Sequence, residues 1–236
     1  MSLPTSQVTF EPVNAVSESL LVQAKHAVVA LSPFNSYYTQ DIINLHIRAA
    51  MEHFEHINVV IPAMNMTLMF EACGLTRSQA EHKVDKNLRA LRNRILYAFD
   101  EMLVPRRLAE QLLCPVDTLQ GNPVYDTLLD NVRNAFHGGD PVFQEACMTT
   151  ARGVILRLSG RRAEPTTEQK HAAMEFLFSE AAVMSDSPGI FKQGPSVHLY
   201  HRVVEFAGCL FDKQLTWTPA EHQGYAVIRP NKDATE

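Results

Sequence analysis

The sequence predicts an α/β fold: one domain with a mostly parallel central sheet flanked by helices. Three observations lead there. Short apolar runs of strand length are spread among longer stretches with helical periodicity, and the first of them form a strand–helix–strand unit. No internal repeat, low-complexity tract or Gly/Ser linker divides the 236 residues. That length is enough for one full core.

Residues 26–31 (HAVVAL) read as a strand buried on both faces. Ile43, Ile47, Met51 and Phe54 then recur at helical spacing, and residues 58–61 (NVVI) form a second buried strand closed by Pro62. In a parallel sheet this order is a right-handed crossover. A long helix follows. Ser78-x-x-Glu81 reads as its capping box, with Ala80, Val84, Leu88, Leu91, Ile95 and Phe99 in one apolar stripe. Residues 112–116 suit a further strand. Residues 123–136, 141–158 and 166–182 suit three helices, separated by HGGDP and SGRRAEP. Residues 198–200 and 225–228 are late strand candidates.

Composition narrows the function classes. The chain is 46% hydrophobic and 20% charged, as in ordinary globular proteins. A net charge of −5 argues against a protein that coats nucleic acid over its whole surface, but leaves room for a local basic patch. No apolar run approaches the ~20 residues of a membrane span. The opening MSLPTSQVTFEPV has no signal-peptide core. Cys73, Cys114, Cys147 and Cys209 lie far apart without a CxxC pair, which predicts reduced thiols in a cytoplasmic protein. His53 and His56 have no third ligand nearby in sequence, so no metal site is expected.

Ser32 is the first candidate for chemistry. Pro33 pushes it toward extended geometry, at the carboxyl end of a strand, where open α/β sheets bind ligands. A serine there is either a loop cap or a nucleophile, and G-x-S-x-G is absent. Lys83, Lys86, Arg89, Arg92 and Arg94 form the second feature, with Asp85 the single acid between positions 83 and 94. Such a helix face is either solvated or anion-binding. Glu180 and the pair Tyr200–His201 are further candidates, although taken alone a lone histidine is more often structural and a helix-end glutamate usually solvated. The P-loop, G-x-G-x-x-G and H-E-x-x-H signatures are missing.

Together, ALSPFNSYYTQ, the basic helix, SEAAVMSDSPGIF and VHLYH, in this order and spacing, resemble the cyclodipeptide synthases. The resemblance runs from about residue 26 to 230. S-x-x-N-S-Y followed some 165 residues later by Y-H marks the asparagine-tyrosine-histidine subfamily. It implies a Rossmann-like domain similar to the catalytic domains of class I aminoacyl-tRNA synthetases. The ATP-binding H-I-G-H and K-M-S-K-S signatures of those enzymes are absent here. It further implies an aminoacyltransferase that uses two aminoacyl-tRNAs in turn, without a cofactor, and joins their amino acids into a diketopiperazine. No DNA or membrane is implied as a partner, and the protein would be a monomer or homodimer. The alternatives are a synthetase-like protein and a tRNA-binding protein without catalysis.

The resemblance also assigns roles. Ser32 would be the covalent nucleophile, with Asn35, Ser36 and Tyr37 shaping its pocket. Glu180 would hold the substrate amine and take up its proton. Tyr200 and His201 would line the site, Tyr200 contributing to proton transfer. Phe176 stands where the family has a tyrosine, so one amine-anchoring hydroxyl is missing. Val28, Ala30, Val60, Val116 and Val183 would surround the first aminoacyl side chain and favour an aliphatic one. Thr150, Arg157, His198 and Val203 would form the second pocket. There Arg157 would meet a polar or acidic side chain, pair with Glu205, or reach water.

Overall fold

The structure is a computed structural model that describes residues 7–160, 163–212, 215 and 217–231. Its elements run in order β1 (Val8–Pro12), α1 (Ala15–Gln23), β2 (His26–Ala30), α2 (Gln40–His53), β3 (His56–Ile61), α3 (Met66–Ala72), α4 (Arg77–Glu101), α5 (Arg106–Leu112) and β4 (Leu113–Pro115). A 3₁₀ turn (Val116–Leu119) leads to α6 (Pro123–His137), α7 (Pro141–Leu158), α8 (Thr167–Ala172), α9 (Met174–Ser185), α10 (Ser187–Phe191), β5 (Ser196–Tyr200), α11 (Glu205–Phe211) and β6 (Gln223–Pro230).

The six strands form one sheet in the order β1-β6-β5-β2-β3-β4. All pairs are parallel except β1 with β6. The chain therefore builds outward from β2 to β3 and β4, then returns to the other side of β2 for β5. The reversal opens a crevice between the carboxyl ends of β2 and β5, the position at which open α/β sheets take their ligands.

The α/β class and the β2–α2–β3 crossover are as expected. Several boundaries are not. The sheet begins at Val8 rather than near residue 26, because Val8 to Pro12 pair with Pro230 to Ala226 across the edge. The expected strand at 112–116 shortens to three residues, with Leu112 in α5 and Val116 in the 3₁₀ turn. The capping box of α4 is Thr76 with Gln79, not Ser78 with Glu81. The expected helix 166–182 is two helices, the first capped by Thr166 and Gln169, meeting at Ala173.

β2 and β5 are buried at every position, which fits interior strands covered on both faces. One polar network ties the amino ends of the central strands. His26 Nε2 donates to Asn58 Oδ1 at 2.9 Å, while Nδ1 accepts from the Ser196 hydroxyl at 2.8 Å. This assignment satisfies all three groups. Desolvation holds the His26 imidazolium down at about 4, so the ring is neutral and serves as a bridge between β2, β3 and β5.

Candidate active site

β2 delivers Ser32 to the crevice. Leu31 N donates to Val60 O at 3.0 Å, carrying the parallel ladder one residue past β2. Pro33 then keeps Ser32 extended, and Phe34 turns the chain with φ +59°, a left-handed conformation uncommon for a bulky residue. Asn35 closes the turn: its Oδ1 accepts from Tyr37 N at 3.1 Å and its carbonyl from Tyr38 N at 3.2 Å. Thr39 caps α2. Serine, proline, asparagine and threonine each act here through their local backbone chemistry.

Tyr200, the last residue of β5, places its hydroxyl 2.9 Å from Ser32 Oγ. Burial, with the Glu180 carboxylate adding to it, raises the Tyr200 phenol to about 12. It is therefore a neutral hydrogen-bonding group near neutral pH rather than a phenolate base. Glu180, on α9, lines the same cavity as Ser32. Desolvation pushes its carboxyl up to about 7, against the opposing pull of Arg157, Arg202 and the Ser32 hydroxyl. A carboxyl at that value exchanges protons freely at neutral pH.

His201 does different work. Tyr38 donates its one hydroxyl proton to Ala30 O at 3.0 Å and accepts from His201 Nδ1 at 3.0 Å. That fixes the Nδ1–H tautomer, leaving Nε2 to accept from Asn35 Nδ2 at 3.4 Å. Tyr37 stacks on the ring at 4.5 Å. Burial and nearby arginines depress the imidazolium to about 4. His201 is thus a neutral strut that holds the Asn35 turn.

The cavity at Ser32 has a volume of about 30 Å³, room for a single water. Pro33, Phe34, Asn35, Met66 and Phe176 line it beside Ser32. Thr150, Val154, Arg157, Leu158, Arg202 and Val204 complete the wall around Glu180 and Tyr200. A second, open groove of about 420 Å³ adjoins it and shares Phe34, Asn35, Arg157 and Leu158. Ser36, Phe70, Lys83, Asn87 and Arg94 also line that groove.

Some expected pocket residues lie elsewhere. Val28, Ala30, Val60, Val116 and Val183 are buried in the core and do not line the cavity at Ser32. His198 is buried against Tyr225, with ring centroids 5.5 Å apart. Val203 is 45% exposed, and its neighbour Val204 lines the cavity instead. Thr150 does reach the cavity, its hydroxyl 3.1 Å from Glu205 Oε2. Arg157 is an exposed residue at the mouth of both cavities.

The basic face of α4 divides. Lys83 sits 4.4 Å over the Phe70 ring, and Arg94 Nη1 donates to Tyr38 O. Arg92 pairs with Glu110 at 3.3 Å. Lys86 and Arg89 are exposed, with Arg89 Nε donating to Asp85 O. Sequence reasoning missed Tyr38 and Arg202. The second tyrosine of NSYY and the arginine directly after YH were the available signals.

A serine at the switch point of a mostly parallel sheet, hydrogen-bonded to a phenol and sharing its cavity with a buried carboxyl, marks an α/β protein with a candidate catalytic site. The cyclodipeptide synthase family model matches residues 8–230, and the chain belongs to that family of cyclodipeptide-forming enzymes. It is 28% identical over 216 residues to the cyclo(L-leucyl-L-phenylalanyl) synthase of Streptomyces noursei, covering 89% of this chain and 87% of that one. The crystal structure of a cyclodipeptide synthase from Bacillus thermoamylovorans superposes with TM-score 0.88 at 19% identity, over 96% and 98% of the two chains. A Mycobacterium tuberculosis structure that relates cyclodipeptide synthetases to type I tRNA synthetases has TM-score 0.81 at 22% identity, over 98% and 96%.

Proposed function

We propose that this enzyme takes its amino acids from two aminoacyl-tRNAs and works through a covalent aminoacyl ester on Ser32. The observation that carries this reading is the hydrogen bond between Ser32 Oγ and the Tyr200 hydroxyl at the switch-point crevice, with Glu180 lining the same cavity. In the first step Ser32 Oγ attacks the ester carbonyl, the bond to the tRNA ribose oxygen breaks, and that oxygen leaves with a proton. The amine of the Ser32-bound residue next attacks the second ester and releases the second tRNA hydroxyl. Finally the free amine of the dipeptidyl ester attacks the carbonyl on Ser32, closing the ring and restoring the serine. Two esters become two amides, so no ATP and no redox partner is needed.

Glu180 suits the amine. It holds an ammonium group as carboxylate and accepts a proton when the amine becomes a nucleophile. Phe176 contributes only an apolar wall, so Glu180 and Asn35 carry the anchoring. Tyr200 passes a hydrogen bond to Ser32 while staying neutral. Because the esters are already activated, positioning is the main requirement, and holding reactants in line can lower a barrier by roughly 7–11 kcal/mol. If Val28, Ala30, Val60, Val116 and Val183 surround the first aminoacyl side chain as the resemblance implies, their small apolar character favours an aliphatic first residue such as leucine, with methionine or phenylalanine as lesser fits. A methylene discriminates by only ~1–3 kcal/mol, so a mixture of products follows.

The test is covalent labelling. Incubated with radiolabelled aminoacyl-tRNAs, the wild-type enzyme should become acylated and Ser32→Ala should not, and product formation should cease in the variant. The amino acid recovered from the ester identifies the first substrate. Label retained on Ser32→Ala would remove the serine from the mechanism.

A further inference from the structure

Arg202 has no role in the reaction as described, yet it lines the cavity that holds Ser32, Glu180 and Tyr200. Other polar groups of that wall are committed. The Tyr200 hydroxyl is on Ser32 Oγ, and the Asn35 side chain spans Tyr37 N and His201 Nε2. The Thr150 hydroxyl meets Ala146 O and Glu205 Oε2. Arg157 stands exposed at the mouth and has a partner of its own. Arg202 Nε differs. It is buried, with no hydrogen-bond partner among the described residues, and no other such side-chain atom among them belongs to a residue lining this cavity. A buried donor left unmatched is costly, and the cost is recovered when an acceptor arrives.

The reaction supplies such an acceptor. When Ser32 Oγ bonds to the carbonyl carbon of the first ester, the π pair of the carbonyl moves onto its oxygen. That oxygen stays anionic until the pair returns and the bond to the ribose oxygen breaks, the ribose oxygen departing with the serine proton. At a strand-to-helix elbow the backbone N–H of the residue after the nucleophile holds this charge. Here that residue is Pro33, which has no N–H. We propose that Arg202 takes over this task as a catalytic residue, its Nε–H donating to the oxyanion formed at the carbonyl bound to Ser32. The proposal rests on the covalent reading of Ser32 above. Ser32 and Arg202 bound the same space of about 30 Å³, and a space so small leaves an oxygen atom at Ser32 close to the Arg202 wall. Tyr225 donates its hydroxyl to Arg202 O at 2.6 Å, so the residue is anchored before the charge develops.

The test separates a direct role from one exerted through the Glu180 carboxyl, which shares this wall with Arg202 and Arg157 and, beside Thr150, has the exposed Glu205 nearby. Purified enzyme is mixed in single turnover with a radiolabelled aminoacyl-tRNA that acylates the wild type. Arg202→Leu should slow acylation of Ser32 by roughly 10²–10³-fold, the range for loss of one oxyanion donor. The Kd for the aminoacyl-tRNA, read by filter binding in the Ser32→Ala background where no transfer occurs, should be unchanged. Arg202→Lys keeps the charge without the Nε–H and should lose less, roughly 10-fold, and it carries the test if the leucine variant does not fold. A guanidinium does not titrate, so the ratio of wild-type to Arg202→Leu rates should be constant from about pH 6 to 8.

Acylation at the wild-type rate in a folded Arg202 variant would overturn the proposal. A loss carried by Kd rather than by the rate would also overturn it, leaving Arg202 a binding residue. A rate ratio that changes with pH through about 7, where Glu180 titrates, would do the same by placing the effect on that carboxyl. Labelling of Ser32 separates the two levels. A wild-type aminoacyl-enzyme whose formation is indifferent to Arg202 rejects this role alone, whereas no aminoacyl-enzyme from any aminoacyl-tRNA rejects the Ser32 reading together with it.

Discussion

Ser32, Glu180 and Tyr200 show how three side chains of ordinary reactivity become a site through placement. Each of the three is unremarkable in sequence, and the cavity alters two of them: desolvation raises Glu180 to about 7 and Tyr200 to about 12. Glu180→Gln keeps the shape and removes both the charge and the exchangeable proton. The expected result is strong loss of cyclodipeptide with Ser32 acylation still detectable, because in the proposed mechanism the carboxylate acts mainly when the amine attacks. Product formation by the wild type should rise with pH through about 7 as Glu180 ionises, and this limb should be missing from the residual activity of Glu180→Gln. Single-turnover acylation and product yield, measured across pH, separate the two steps. An undiminished product yield in the variant would refute the role. Ser32 was readable in sequence because proline acts on its direct neighbour. The demotion of His201 to a strut was not, since it depends on Tyr38 and Asn35 meeting the same ring.

Among the elements, α4 carries the basic face expected from the sequence. Its apolar stripe packs inward, with Ala80, Val84, Leu91, Ile95 and Phe99 buried, so the cations necessarily face outward or sideways. Lys86 and Arg89 are free to meet a polyanion, whereas Arg94 is engaged with the Tyr38 carbonyl and Gln40 with the Arg94 carbonyl at 3.0 Å. Arg94 therefore steadies the turn behind Ser32 as well as lining the open groove. If Lys86 and Arg89, together with the half-exposed Arg92, touch phosphate, the log–log salt dependence of tRNA binding should have a slope of roughly −2 to −3. Replacing Lys86, Arg89 and Arg92 with alanine should flatten it and weaken all aminoacyl-tRNAs alike, since phosphate contacts carry no sequence information. Filter binding at several salt concentrations reads this directly. An unchanged slope would leave the face merely solvated. The helix itself was legible from its periodicity. The break between α8 and α9 was not, because no glycine or proline marks Ala173 and the apolar pattern runs on through it.

The whole molecule is set up to resist neutral but not acidic conditions. His26 and His201 are held down at about 4, and His46 and His198 at about 3, all chiefly by desolvation. Their unfolded values lie near 6.5. Between about pH 6.5 and 4 the unfolded chain therefore binds more protons, and the stability that these rings contribute is lost as pH falls. Glu180 has the opposite sign. Its folded value exceeds its unfolded one, so its contribution grows as pH falls from about 7 toward 4.5. Four histidines against one glutamate leave a net uptake of roughly three protons on unfolding near pH 5. Urea midpoints should fall clearly between pH 7 and pH 5, and His198→Phe, which stays apolar and stacked on Tyr225, should reduce the proton uptake by about one. A midpoint that does not move with pH would contradict this account.

The amino-acid sequence alone determined the class of fold, the β2–α2–β3 unit, the strand-end position of Ser32 and the basic helix. Each depends on neighbours within a few residues: a period of two or 3.6, a proline acting on the residue before it, cations repeated along one helix. The edge strand β1 pairs with residues more than two hundred positions away, and its five residues have no pattern strong enough to announce it. Only the tertiary structure brought Ser32 to Tyr200 across 168 positions and set Arg157 and Arg202 on one wall with Glu180. It also buried Val28, Ala30, Val60, Val116 and Val183 in the core, apart from the lining of the cavity at Ser32. Local chemistry is written in short spacing, but a cavity is what long-range packing leaves unfilled, and no local pattern records that remainder.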